Sequence, residues 1–219
     1  MKKEFFTTHD GSFTLFIPEM NETYHSKFGA INEAMHVFIH SGLEQMNKPV
    51  IKILEIGFGT GLNAFLTAKF FFNQKRIAEI YYESIEKFPL EEEIYKKLNY
   101  AETDEENRLF LQMHQADWNR DAELFPGFVL HKKKTDLIDF YSDKQFDLVY
   151  FDAFAPNKQE ELWTVEIFRN LYNHMNKKGI LVTYSAKGQV RRNMLEAGFY
   201  VERIPGPPGK REMLRAVKN

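Results

Sequence analysis

The apolar positions of this chain change period several times along its length. Residues 5–8 and 13–17 are two short runs of β-type residues separated by His9-Asp10-Gly11-Ser12, which predicts a hairpin. Over residues 29–46, Ile31, Met35, Phe38, Ile39 and Leu43 recur at helical spacing. From residue 50 onward the pattern alternates. Apolar runs at 50–56, 77–86, 128–136, 146–151 and 179–184 predict strands, and the segments 62–72, 104–118, 160–175 and 188–196 predict helices. Pro89 suits the first turn of a further helix, with Glu91, Glu92 and Glu93 at its positive end and Lys96 and Lys97 at the other. Runs at 199–204 and 212–217 flank Pro205-Gly206-Pro207-Pro208-Gly209 and predict a closing antiparallel pair. On the strand at 128–136, Lys132, Lys133 and Lys134 are expected to be exposed.

Strands alternating with helices imply βαβ units, hence an α/β fold with a mostly parallel, doubly wound sheet and an antiparallel closing strand. Residues 1–48 are expected to form a small hairpin and helix that pack on a core of residues 49–219. A chain with 43% hydrophobic residues, 21 of them Phe, can bury a sizeable core. No apolar stretch reaches membrane-spanning length, and Lys2-Lys3 is not followed by a signal-peptide apolar region, so a cytoplasmic protein without membrane association is expected. The absence of Cys excludes thiolate metal sites and disulfides, and the seven His are scattered, so no metal is expected. A net charge of -2 argues against binding nucleic acid over the whole surface. Residues 180–219 nevertheless hold eight basic residues against three acidic ones, a local basic face that suits phosphates.

The strongest chemical signal is Glu55-Ile56-Gly57-Phe58-Gly59-Thr60-Gly61-Leu62-Asn63, where a buried strand delivers an acid and a glycine turn from which a helix departs. Glycines let backbone approach a ligand at a strand's carboxyl end, and the helix start supplies free N–H groups. Dinucleotide enzymes space these glycines differently. An acid two residues before the first glycine fits a ligand with an amino-acid end, and favours S-adenosyl-L-methionine over a dinucleotide or a merely structural turn. Glu86, ending the next strand, is placed to accept ribose hydroxyls. Asp136 is placed to accept from the adenine amine, or else to cap the short segment after it. Asp152 ends the hydrophobic strand at 146–151 and should point into the crevice where a transferable methyl group sits. Phe154, in the loop after it, offers a face for a flat substrate or a cover for the core. Ser185 lacks the surroundings of a hydrolase nucleophile.

Longer segments are more specific than the glycine loop. Tyr24-His25-Ser26, Ile85-Glu86-Lys87-Phe88-Pro89-Leu90, Phe151-Asp152-Ala153-Phe154-Ala155-Pro156-Asn157-Lys158 and Lys210-Arg211-Glu212-Met213 resemble the methyltransferase domain of the MnmC-type tRNA-modifying enzymes, especially the stand-alone versions. The resemblance implies a Rossmann-like class I methyltransferase that transfers a methyl group from S-adenosyl-L-methionine to the aminomethyl group of a modified wobble uridine in tRNA. It implies cofactor roles for the loop with Glu55, Gly57, Gly59, Thr60, Gly61 and Asn63, and for Glu86 and Asp136. Asp152 would be catalytic, binding and orienting the amine, since a carboxyl with an ordinary pKa near 4 is too weak to be the sole base. Phe154, Arg191, Arg192, Lys210 and Arg211 are expected around the substrate. Fused relatives add a flavin-dependent oxidase domain, for which 219 residues leave no room, so no flavin is expected and a separate enzyme would supply the aminomethyl uridine. Two other readings stay open: another S-adenosyl-L-methionine-dependent transferase, acting on a small molecule or a protein amine, and a non-catalytic tRNA-binding module on the same fold.

Overall fold

The computed structural model describes residues 2–219. Glu4–Thr7 (β1) and Phe13–Ile17 (β2) pair as the expected hairpin, and a third short strand, Glu22–Thr23 (β3), adds to it. Asp10 fixes the first turn, its carboxylate accepting from the Thr8 hydroxyl at 2.7 Å and from the Ser12 N–H at 3.1 Å. Residues 29–46 are helical but not one α-helix. Ala30–Ala34 (α1) widens into a π-helical stretch, Met35–His40, and a 3-10 turn, Leu43–Gln45, follows. The wider turn puts the consecutive Val37, Phe38 and Ile39 all in the core.

The chain then enters an eight-stranded sheet at Val50–Ile56 (β4), crosses by Leu62–Asn73 (α2) and returns as Glu79–Glu86 (β5). Two helices, Glu92–Tyr95 (α3) and Asp104–Gln115 (α4), precede the hairpin Asp121–Phe125 (β6) and Phe128–Lys134 (β7). Phe146–Phe151 (β8), Val165–Asn173 (α5), Met175–Thr183 (β9) and Gly188–Ala197 (α6) continue the winding, and Tyr200–Pro205 (β10) with Glu212–Val217 (β11) closes it. The spatial order is β10-β11-β9-β8-β4-β5-β7-β6. Five central strands, β9, β8, β4, β5 and β7, are parallel, while β6, β10 and β11 are antiparallel to their neighbours.

Successive side chains of a strand face opposite ways, so each central strand feeds two cores. Ile51 and Ile53 join Phe38, Phe65 and Phe110 on one face, while Leu54 and Ile56 join Phe168, Leu171 and Met194 on the other. The chain winds from β4 one way through β5 and β7, then returns to place β8 on the other side of β4. That reversal opens a crevice at the carboxyl ends of β4 and β8, the usual ligand position in open α/β sheets.

Several expectations shift. The helix expected from Pro89 starts only at Glu92, leaving Pro89 on the crevice wall. The helix expected over 160–175 is broken at Thr164, whose side chain caps α5, and the residues before it form a 3-10 turn. β6 was not anticipated; its signal is the Pro126-Gly127 turn, where Gly127 has φ 85°. Lys132 is not exposed. Its strand is interior to the sheet, and it is 1% accessible, with Nζ donating to the His114 carbonyl at 2.6 Å and lying 4.6 Å from the Trp118 ring centre. The aromatic face and the carbonyl offset part of the desolvation of this ammonium, yet burial still lowers its pKa to about 8.

Candidate active site and cofactor crevice

The floor of the crevice is the loop after β4. The Gly57 and Phe58 N–H groups both donate to the Ile85 carbonyl, at 2.9 and 3.2 Å, so the loop leaves β4 while still tied to β5. Gly57 and Gly59 line the crevice with φ of 91° and 48°, a region where side chains are strained. A Cβ on Gly57 would lie 2.9 Å from the Asp152 carbonyl oxygen, so this glycine lets the ends of β4 and β8 approach each other. Glu86 joins two loops: its carboxylate accepts from Gly59 N–H at 3.0 Å and from Phe88 N–H at 2.7 Å.

Asp152 begins the loop after β8 and faces the crevice. Side chains from elsewhere hold that loop. The Trp163 indole donates to the Phe154 carbonyl at 2.9 Å, the Tyr184 hydroxyl to the Ala153 carbonyl at 2.9 Å, and Gln159 accepts from Phe154 N–H at 3.2 Å. The Asn63 amide, from the first turn of α2, donates to Asp152 Oδ2 at 2.8 Å. Desolvation by the crevice walls raises the Asp152 pKa to about 7; Glu33 pushes the same way, whereas Asn63 and Lys210 oppose it. The ordinary carboxyl pKa assumed from sequence therefore does not describe this group, and Asp152 is a stronger base than its residue type implies.

The other wall comes from the N-terminal segment, a contribution that sequence reasoning missed. Residues 22–28 border the crevice throughout. The Tyr24 ring stands edge-on to Phe154, with centres 5.1 Å apart, and His25 Nε2 is 2.7 Å from the Thr60 hydroxyl. Burial lowers the His25 pKa to about 4, so it is neutral at pH 7. Glu33 and Tyr184, which carried no assignment from sequence, also line the crevice. The available signal was the polar and aromatic run Tyr24-His25-Ser26 between a hairpin and a helix, where core packing asks for neither His nor Tyr.

Of the residues singled out from sequence, Gly57, Gly59, Thr60, Asn63, Glu86, Asp136, Asp152, Phe154 and Lys210 meet around one crevice of about 1070 Å³. Glu55 and Gly61 do not border it. Glu55 is wholly buried behind the loop, accepting from the Ser84 hydroxyl at 2.5 Å, and burial raises its pKa to about 8. Its other oxygen has no hydrogen-bond partner. Gly61 has φ 74° and sits against His114, closing the loop from behind. Asp136 binds Lys87 at 2.5 Å and accepts from Ile138 N–H at 3.2 Å, so it caps the 3-10 turn Leu137–Asp139 while facing the crevice. Arg191 and Arg192, on α6, do not line the crevice; Arg192 bonds Gln189 at 2.7 Å. Arg211 is exposed on a smaller adjoining basin with Lys187.

Residues 128–219 match the family described as S-adenosyl-L-methionine-dependent methyltransferase. The chain is 32% identical over 219 residues to the tRNA 5-methylaminomethyl-2-thiouridine biosynthesis bifunctional protein MnmC of Burkholderia multivorans, covering 92% of this chain and 33% of that protein. It is 33% identical to the MnmC of Leptospira interrogans, covering 94% of this chain and 34% of the relative. The chain thus spans about a third of the length of these curated relatives. Among solved structures, MNMC2 from Aquifex aeolicus superposes with a TM-score of 0.83 at 28% identity, over 98% of this chain and 70% of that one. The likeness takes in the N-terminal wall and the closing strands as well as the glycine loop, so the similarity to these MnmC proteins and to MNMC2 runs along nearly the whole of this chain.

Proposed function

We propose that this protein methylates the aminomethyl group of a modified wobble uridine in tRNA, using S-adenosyl-L-methionine, in the cytoplasm and downstream of a separate enzyme that makes the amine. The observation that carries the reading is Asp152: a carboxylate held by Asn63 at the mouth of β8, of raised basicity, facing a crevice bordered by Gly57, Gly59 and Glu86. The residues present fit the cofactor. Gly59 brings bare backbone to the crevice, and Glu86 supplies acceptor oxygens at the end of β5 for hydroxyl donors. When bound, S-adenosyl-L-methionine supplies a sulfonium methyl group, whose S–C bond breaks as the N–C bond to the amine forms. Neither flavin nor metal has a part in this reading.

An alkyl amine with a pKa of roughly 10.4 is neutral in only about one molecule in 2,500 at pH 7. Asp152 contributes in two ways. As a carboxylate it binds and orients the amine, and with a pKa near 7 it can also take the departing proton. Phe154 and Tyr24 narrow the crevice and exclude water, and Asn63 keeps Asp152 aimed. In this reading residues 1–48 are a working wall of the site built onto the core at 49–219.

Mass spectrometry of tRNA nucleosides after incubation with the purified protein and labelled S-adenosyl-L-methionine tests the reading. A methylated aminomethyl uridine is expected, and its absence from aminomethyl-bearing tRNA would reject it. Glu86→Gln should weaken S-adenosyl-L-methionine by about tenfold, since a hydrogen bond to a charged acceptor is lost; calorimetric titration reads this directly. Replacing Lys210 and Arg211 by Ala should raise the Michaelis constant for tRNA and flatten its salt dependence, because phosphate contacts release counterions. Affinity for the methyl donor should stay as it was. A salt dependence equal to that of the wild type would remove these residues from the RNA surface.

A further inference from the structure

Lys210 makes contacts unlike those of an ordinary surface lysine. Its ammonium lies 2.7 Å from Glu33 Oε2 and 4.1 Å from the centre of the Tyr184 ring. Glu33 is 8% accessible, and its second oxygen is taken by the Ser26 N–H at 2.9 Å. A carboxylate beside an aromatic face is a general way to bind an alkylammonium ion. Glu33, Tyr184 and Lys210 all border the crevice that holds Asp152, and the charges of Glu33 and Lys210 both reach Asp152. The amine acceptor proposed above is itself an alkylammonium in nearly all molecules at neutral pH.

We propose that Glu33 and the face of Tyr184 form an alkylammonium subsite for the incoming acceptor, in which Lys210 stands in for the substrate amine until a polyanionic substrate draws it outward. This rests on the reading of the substrate as an aminomethyl nucleotide in RNA. Exchanging one ammonium for another never leaves the buried Glu33 carboxylate without a partner, so the swap avoids the large penalty of a lone buried charge. Lys210 has somewhere to go. Its side chain, 33% accessible, also lines the adjoining basin of about 370 Å³, beside Lys187 and Arg211. Phosphate oxygens arriving there would hold the Lys210 ammonium on a flexible four-carbon stem while the amine takes its place. The arrangement couples RNA docking to acceptance of the amine, and disfavours free nucleosides, which bring an amine but no phosphate to move Lys210.

The test compares wild type, Lys210→Met and the double variant Lys210→Met with Glu33→Gln, each confirmed folded by thermal melting; Lys210→Gln replaces the first variant if it does not fold. Propylammonium binding is measured by saturation-transfer NMR at constant ionic strength, with propanol as the uncharged control. Lys210→Met should bind propylammonium at least about tenfold more tightly than wild type, as expected for a newly vacant charged hydrogen-bonding site, and the double variant should lose that gain. Turnover of the free nucleoside 5-aminomethyluridine should rise in Lys210→Met while turnover of tRNA falls. Propylammonium affinity in Lys210→Met no greater than in wild type would overturn the proposal and leave the pair as a fixed brace. The NMR arm needs no catalysis, so it reports on the subsite even if wild type fails to methylate tRNA and the functional reading is lost.

Discussion

Replacing Asp152 with Asn is expected to lower turnover by about a hundredfold or more while S-adenosyl-L-methionine affinity stays within about threefold. The amide can turn its oxygen to the Asn63 donor that now meets Oδ2 at 2.8 Å, so the shape of the loop survives. What goes is the negative charge and the proton acceptor. The pH dependence separates these from a mere change of packing. In wild type, kcat/KM should climb with pH until the carboxyl, whose pKa burial raises to about 7, has ionised, and the variant should lack that limb. Stability moves the opposite way. An acid whose folded pKa lies above its unfolded value holds a proton in the native state that the unfolded chain has released, so wild-type stability falls as pH rises from about 4 to about 7. The variant has no such group, and should melt at the same temperature as wild type near pH 4 but several degrees higher at about pH 8. Cofactor affinity that falls as far as turnover would move Asp152 into the cofactor site. A variant that melts no higher at alkaline pH would mean that crevice water solvates the carboxylate.

The legible parts of this protein are those whose chemistry is local. β4, the glycine loop and α2 read correctly because three glycines in the left-handed region, an apolar strand and an apolar helix lie within one short segment. The place of Asp152 on the crevice was legible for the same reason, as the polar residue that follows the wholly buried strand β8. What escaped depends on where a strand sits in the sheet or on contacts between distant segments. Lys132 reads as a surface charge in a Lys-Lys-Lys run, and only the placement of β7 between β5 and β6 puts it under Trp118. Lys210 was recognised as a cation, but its partner Glu33 is 177 positions away, so its role as an ion-pair member was invisible. Glu55 shows the reverse. Its position before the glycines is that expected of a cofactor acid, yet the direction in which its side chain leaves β4 takes it behind the loop to Ser84. Arg191 and Arg192 were drawn toward the crevice by the charge of their segment, whereas the rotation of α6 sets them off its walls.

Gly59→Val should abolish detectable S-adenosyl-L-methionine binding in a protein that still folds. Gly59 has φ 48°, where a β-branched residue is strained by roughly 1–3 kcal/mol, so the loop will relax toward another conformation. A side chain here also meets the Tyr24 ring, already 3.2 Å from the position of a Cβ, and would push that wall inward or aside. Either movement pulls the Gly59 N–H from Glu86 Oε2, now 3.0 Å away, and so disorders two borders of the crevice at once. The core strands and α2 are untouched, so the far-ultraviolet circular dichroism spectrum should match wild type and the melting temperature should fall by only a few degrees. Gly57→Val makes the informative contrast. Its Cβ would meet the Asp152 carbonyl oxygen, which is backbone and cannot swing away, so that variant should lose far more stability as β4 and β8 are forced apart. If Gly59→Val binds the methyl donor as tightly as wild type in calorimetric titration, the glycine loop has no part in holding the cofactor.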